Sequence, residues 1–368
     1  MPCPPRWIRA VSLIALAALA AGPAPLAPPR VILFVADGAG VAYWSAALFA
    51  ADGLSVERFP VLGLLDSRST SRSIPESASA ATAIATGVQS YYRSVGVGPD
   101  SLPRTSVLEA AESAGLATGL VTTTHLTDAT PAAFAAHVPD RRDVLDIARQ
   151  IAAAGIEVLL GDGRPAFDPA TRPDSLNLIA ALRRDHVWVE RPDQLASIAA
   201  ADSVRALAGL FDLDRTFDTE ARRPSLAEMT AAALQVLDRS AGGFFLLVEN
   251  EHSDHFGHAN LPLADIVAEV LHLDEAIRVA LEYRAKNPST LIVVLGDHET
   301  GGLDLVADST GALAAAWSTT GHTAELVPVF AVGPGADRFG GIRSGAEIGR
   351  ALREAVAGAT PGASTGDD

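Results

Sequence analysis

The sequence predicts an α/β fold: a three-layer sandwich with a large, mostly parallel central sheet covered by helices on both faces. Two observations carry this. Apolar runs of strand length recur along the 368 residues without the polar alternation of a half-exposed strand, as in VILFVA (31–36), FFLLV (244–248) and LIVVL (291–295). Strands apolar throughout are those buried on both sides. Between these runs lie longer stretches of helical spacing, and strands that alternate with helices pair in parallel. A third observation bears on function: ionisable residues cluster directly after the apolar runs, at the strand ends where open α/β sheets bind ligands.

At the amino terminus, Arg6 and Arg9 precede an apolar run from Val11 to Ala21, with small residues at Ala18, Ala20 and Ala21. This reads as a signal peptide over 1–21, too short to span a bilayer comfortably, followed by a Pro-rich linker over 22–29. Export to the periplasm or the extracellular space is expected, with no stable membrane anchor after signal removal. Cys3, the single cysteine, leaves with the signal, so a mature chain without disulfides is expected. A single large domain is expected over 30–357, because no repeat and no internal linker divides it. Further strands are expected at 61–65, 119–122, 157–160, 187–189 and 327–332, and helices at 105–113, 141–153, 226–239 and 263–283. The stretch 162–225, rich in Arg, Asp and Pro, reads as a peripheral excursion, and 358–368 as a flexible tail.

With 48% hydrophobic residues the chain has ample material for a core. Its formal net charge is -16, and losing Arg6 and Arg9 takes it to -18. No clustered basic surface is present for nucleic acid.

The candidate chemistry follows the strands. Asp37 ends the first strand in a Gly-flanked turn; Asp-Gly is also a common turn pair. In SIPESASAATAIATG, Ser77 starts an Ala-rich helix that closes at Gly87. Such a serine is either a helix cap or, given an activator, a nucleophile at a helix terminus suited to phosphate. No adjacent histidine could activate it, whereas a metal ion could. In LVTTTHLTDATPAAFAAHVPDRRD, His125, Asp128 and Thr130 follow a strand, Asp128 or Thr130 can cap the helix that Pro131 opens, and Arg141 begins the next helix. The Arg141 guanidinium is a surface charge or a clamp for phosphoryl oxygens.

The densest stretch is VENEHSDHFGH, read as a loop after the 244–248 strand. Glu249, Glu251, His252, Asp254, His255 and His258 crowd together there, a set suited to a zinc-type cation. Spacing alone does not choose among His252, His255 and His258. Asp297 and His298 follow the 291–295 strand as a pair, a stronger metal signal than the lone His322 before the last strand. Each group is ambiguous by itself, but a parallel sheet brings such strand ends to one edge.

VADGAG, ESASAATAIATG, DATPAAFAAHV, VENEHSDHFGH, GDHETGG and GHTAELVPVFAVGPG resemble, in order and approximate spacing, motifs of the alkaline phosphatases, from about Arg30 to beyond Gly335. The resemblance implies hydrolysis of small-molecule phosphate monoesters through a phosphoserine on Ser77, with Arg141 as phosphate clamp. It implies two Zn2+ and one Mg2+: Asp254, His258 and His322 around one zinc; Asp37, Asp297 and His298 around the other; Asp37, Thr130 and Glu249 around magnesium. Asp128 and His255 match positions that tune the magnesium site. Glu76 stands where the family usually has Asp, Asn250 replaces a usual glycine, and Glu251 and His252 are additional ionisable groups. The family commonly forms dimers, which leaves a homodimer open. Rival readings are a phosphodiesterase of the same superfamily, a sulfatase, for which no C-x-P-x-R stretch exists, and a non-catalytic exported binder of zinc or phosphate, which has no need of Ser77.

Overall fold

The computed structural model of the protein describes residue 1, residues 28–213 and residues 218–358. The signal-peptide run with Arg6, Arg9 and Cys3, the linker up to 27 and the tail from 359 lie outside those residues. In chain order the strands are β1 (Arg30–Ala36), β2 (Val61–Asp66), β3 (Ala117–His125), β4 (Val158–Asp162), β5 (Val187–Trp188), β6 (Leu207–Leu210), β7 (Phe244–Asn250), β8 (Thr290–Leu295), β9 (Glu299–Thr300), β10 (Leu303–Ala307), β11 (Leu313–Trp317), β12 (His322–Thr323), β13 (Val327–Val332) and β14 (Gly341–Ser344). Ten of them form one sheet in the order β14-β2-β13-β8-β1-β7-β3-β4-β6-β5. Every pairing in it is parallel except those of β13, which runs antiparallel to β2 and β8.

Side chains on the central strands alternate between two apolar layers. Val31, Leu33 and Val35 of β1 pack with Phe245 and Leu247 of β7 on one face, while Ile32, Phe34, Phe244, Leu246 and Val248 pack on the other. The uninterrupted apolar runs reflect this period of two with both faces covered. The first face carries α2 (Ser77–Thr86), α3 (Val107–Ser113), α4 (Ala129–Ala135), α5 (Val144–Ala153), α6 (Leu178–Asp185) and α11 (Gly345–Val356). The second carries α1 (Val41–Ala50), α7 (Leu195–Ala199), α8 (Leu226–Leu237), α9 (His252–His258) and α10 (Leu263–Lys286). This is the α/β sandwich expected from the pattern.

Three expectations need correction. The stretch 162–225 is not merely peripheral, because β6 is fully buried and pairs with β4, and β5 extends the sheet beyond it. The ionisable stretch after 248 is not a loop: β7 continues through Asn250, paired with β1 and β3, and α9 begins at His252. Finally, α5 starts at Val144, so Arg141 lies in the turn before it. Among the described residues no helix is long and apolar enough to cross a membrane.

Candidate metal centre and active site

The parallel strands β1, β7, β3 and β8 deliver their carboxyl ends to one edge, and the site is built there. Asp37 follows β1 and is fully buried; its backbone N–H donates to the Asn250 carbonyl of β7 at 3.0 Å. Gly38 completes the turn at φ +71°, and a Cβ there would approach Asp254 Cα to 2.7 Å, so only glycine lets this turn meet α9. Glu249 is still on β7, opposite Val35 and Thr122, and accepts from the Thr122 hydroxyl at 2.5 Å. Asp254 and His258 are four residues apart on α9 and share one helix face, with Asp254 Oδ2 and His258 Nε2 3.3 Å apart.

Asp297 and His298 leave β8 together. Asp297 Oδ1 accepts from the N–H groups of Gly38 and His298, at 3.1 and 2.9 Å. His322 arrives by a route invisible in the sequence pattern, a two-residue antiparallel ladder in which β12 pairs His322 with Thr300 of β9. The His322 ring stacks on His298 with centroids 3.7 Å apart, and its Nε2 lies 3.2 Å from His258 Nε2 and 3.5 Å from Asp254 Oδ1. Its Nδ1 bonds the Pro75 carbonyl at 2.9 Å.

Ser77 meets this cluster from α2. The Ala-rich helix is buried along its whole length and ends at Gly87 with φ +73°. Glu76, not Ser77, is its cap: the Glu76 carboxylate accepts from Ala78 and Ser79 N–H, and also from Arg93 N–H at 2.7 Å. The Ser77 hydroxyl is left to face His298 Nε2 at 3.2 Å. The N–H groups of Ala78 and Ser79 are therefore engaged by Glu76 and are not open to a ligand, contrary to what a helix start by itself suggests. The Arg141 guanidinium is held between Glu76, at 3.3 Å, and Asp128. Asp128 also caps α4, and Thr130 sits in that helix with its hydroxyl buried.

Four sets of donor atoms lie within 4.8 Å of one another: Asp254 with His298 and His322; Asp37 with Asp297 and His298; Asp37 with Glu249 and Glu251; and Glu251 with Asp254 and His255. Burial, then Asp297 and Glu251, push the Asp37 carboxyl well above the usual range. Burial pushes Asp297 up to about 8. Glu249 is raised by burial and then by Glu251. Burial opposes ionisation of Asp254 too, but His258, His298 and His322 hold it below the usual range. Neither Asp37 oxygen accepts a hydrogen bond from any described residue. Carboxylates gathered in this way, with both Asp37 oxygens, Glu249 Oε1 and Asp297 Oδ2 left without a donor among the described residues, suit cations.

These distances separate the histidines that spacing could not. His258, His298 and His322 converge; His252 turns away and bonds Thr123 at 3.0 Å; His255 lies 3.4 Å from Glu251. His125, at the end of β3, lines a neighbouring cavity with Asp162, Arg164 and Phe211. Sequence reasoning missed Thr300, which donates to Asp254 and whose carbonyl accepts from Tyr43 at 2.6 Å; its only signal was its place in HETGG.

A profile of the alkaline phosphatase family matches residues 29–315. The chain belongs to the alkaline phosphatase family. It is 33% identical over 337 residues to alkaline phosphatase 3 of Bacillus subtilis (strain 168), covering 82% of this chain and 70% of that protein. Its fold is similar to the alkaline phosphatase of the Antarctic bacterium TAB5, with a TM-score of 0.83 and 31% identity over 91% of this chain and 100% of that one. It is similar also to a variant of that enzyme with Mg bound in the M3 site, at a TM-score of 0.80 and 31% identity over 90% and 99% of the two chains. Family and fold together make this alkaline phosphatase family member a phosphatase and support phosphomonoester hydrolysis.

Proposed function

We propose that the chain hydrolyses phosphate monoesters to an alcohol and inorganic phosphate through a phosphoserine on Ser77, with two zinc ions and one magnesium bound. The observation that carries this reading is the Ser77 hydroxyl, which heads a buried helix, takes no part in capping it and faces the His298 ring. The donor set fits the ions, since buried carboxylate oxygens of Asp37, Glu249 and Asp297 that accept no hydrogen bond among the described residues lie beside imidazoles. Asp254, His258 and His322 would hold one zinc, Asp37, Asp297 and His298 the second, and Asp37, Thr130 and Glu249 the magnesium, with Asp128 and His255 beside it. When bound, the ions supply Lewis acidity that favours ionisation of the serine and of water and stabilises the entering and leaving oxygens.

The residues do the rest. Ser77 Oγ forms the bond to phosphorus while the ester oxygen departs as the alcohol. Water then takes the phosphoryl group from Ser77, restoring the hydroxyl and releasing phosphate. Arg141 is oriented by Glu76 and Asp128, and its remaining N–H groups serve the phosphoryl oxygens. The catalytic unit is residues 30–357, exported by the signal at 1–21, acting on small-molecule esters rather than nucleic acid, with a homodimer as the family's usual assembly.

Hydrolysis of an aryl phosphate at alkaline pH is the test. Activity should vanish with chelator and return with zinc plus magnesium, and Ser77→Ala should lower kcat by roughly 10⁴-fold or more. Chelator-insensitive turnover would refute the metal reading, and near-normal Ser77→Ala activity the nucleophile. Faster turnover of a bis-aryl phosphate would make the enzyme a diesterase.

A further inference from the structure

Glu251 is the one buried carboxylate at the centre with no role in the reading above. It lies between β7 and α9 at 4% exposure. One of its oxygens lies within 4.8 Å of one oxygen each of Asp37 and Glu249. A buried acid so placed next to two others raises the free energy of the fold unless something positive sits among them. Arg141 contributes part of that charge from a distance. The remaining atoms point to a ligand: both Asp37 oxygens, Glu249 Oε1 and Thr130 Oγ1 are buried and accept or donate no hydrogen bond among the described residues.

We infer that Glu251 is a direct ligand of the magnesium, making that site an all-oxygen set of Asp37, Thr130, Glu249 and Glu251. The inference rests on the metal reading proposed above and adds to it a residue that the family motifs do not supply. The donor chemistry is that of a hard cation, because magnesium takes oxygen ligands whereas imidazole draws zinc. His255 is the nearby nitrogen that would soften the site, and Glu251 holds it: His255 Nε2 lies 3.4 Å from Glu251 Oε1, and His255 groups with Glu251 and Asp254, not with Asp37 and Glu249. Glu251 thus adds a negative ligand on one side and keeps an imidazole off the other. Magnesium should hold this site against zinc despite the histidine.

Metal content reads this without turnover. The zinc-loaded enzyme is titrated with Mg2+ by calorimetry, and bound zinc and magnesium are counted by mass spectrometry after gel filtration, for wild type, Glu251→Gln and Glu249→Gln. The expected result is a tenfold or greater loss of Mg2+ affinity in Glu251→Gln with zinc still at two per chain. Affinity within twofold of wild type would overturn the assignment. Loss of a zinc along with the magnesium would overturn it too, placing Glu251 with Asp254 instead. Unchanged Mg2+ binding in Glu249→Gln would instead bring down the magnesium site itself, which separates the two failures. Should Glu251→Gln not fold, a crystal structure of the wild-type enzyme with Mn2+ decides the matter, by the presence or absence of a Glu251 oxygen in the coordination shell.

Discussion

Two clusters of buried ionisable groups lie at the carboxyl edge of the sheet, and they meet the cost of burial in opposite ways. In the first, Arg222 and Glu269 are both almost fully buried and form an ion pair, with the Thr219 hydroxyl donating to the same carboxylate at 2.8 Å and His272 nearby. Charge there is balanced within the protein, although Arg222 Nε and Nη1 find no partner among the described residues. In the second, Asp37, Glu249, Glu251, Asp254 and Asp297 gather with imidazoles, and among the described residues Arg141 is the guanidinium that reaches them. The first cluster is complete as folded; the second is complete only with something added. A buried cluster that lacks its own counter-charge marks where a protein expects a ligand.

The contrast can be broken at either cluster. The largest effect is expected from Glu269→Ala, which strands Arg222 in the interior and should cost about 3–5 kcal/mol of stability. The double change Arg222→Met with Glu269→Leu should recover most of it. Denaturant titration of the three variants measures this; a stable single variant would show that the pair is not balanced as described. A smaller effect of opposite sign is expected at the centre. Asp37→Asn removes one repelling charge, so in chelator-treated protein it should raise stability by about 1–2 kcal/mol, while in zinc- and magnesium-loaded protein it should lower it. Equal shifts with and without metal would contradict the reading.

The smallest effect is in the pH profile of the metal-free protein. Burial raises the Glu269 carboxyl, but His272 and Arg222 bring it down to about 2. Its contribution is therefore present above the ordinary carboxylate range and is lost as pH falls towards 2. Asp297 is raised by burial to about 8. There the fold favours the protonated acid, and stability drains away as pH rises from about 4 to about 8. Thermal denaturation in chelator should thus show greatest stability on the acid side of neutral, and added metal should move that maximum upward. A metal-free midpoint that climbs steadily from pH 5 to 8 would count against the raised acids.

The parts of this arrangement differ in how well the sequence displays them. Strands β1, β7 and β8 announce themselves because both faces are covered, so an unbroken apolar run ends where Asp37, Glu249 and Asp297 begin. Helix α9 does not, since HSDHFGH has a single apolar anchor, Phe256, and no periodicity to read. Strand β6, LAGL, is four residues with a glycine inside. The capping box of Ser344 and Glu347 is a readable signal for α11, which the expected helices did not include. The hold of Glu76 on Arg141, 65 residues apart, and the pairing of Arg222 with Glu269, 47 residues apart, depend on tertiary approach. Motif resemblance named most of the centre's residues; it was silent on Glu251, because a family pattern records what members share.

One small feature bears on how such a chain can be altered. Between Thr300 and His322 the backbone leaves the sheet as the largely exposed β10–β11 hairpin and is brought back by the two-residue ladder of β9 and β12. The ladder clamps the base of the excursion, so its tip at 308–312, exposed and closed by bonds to Asp308, can change length while His322 stays in register. It is a graft site: a foreign loop or reporter peptide inserted there would extend the hairpin without passing strain to His322.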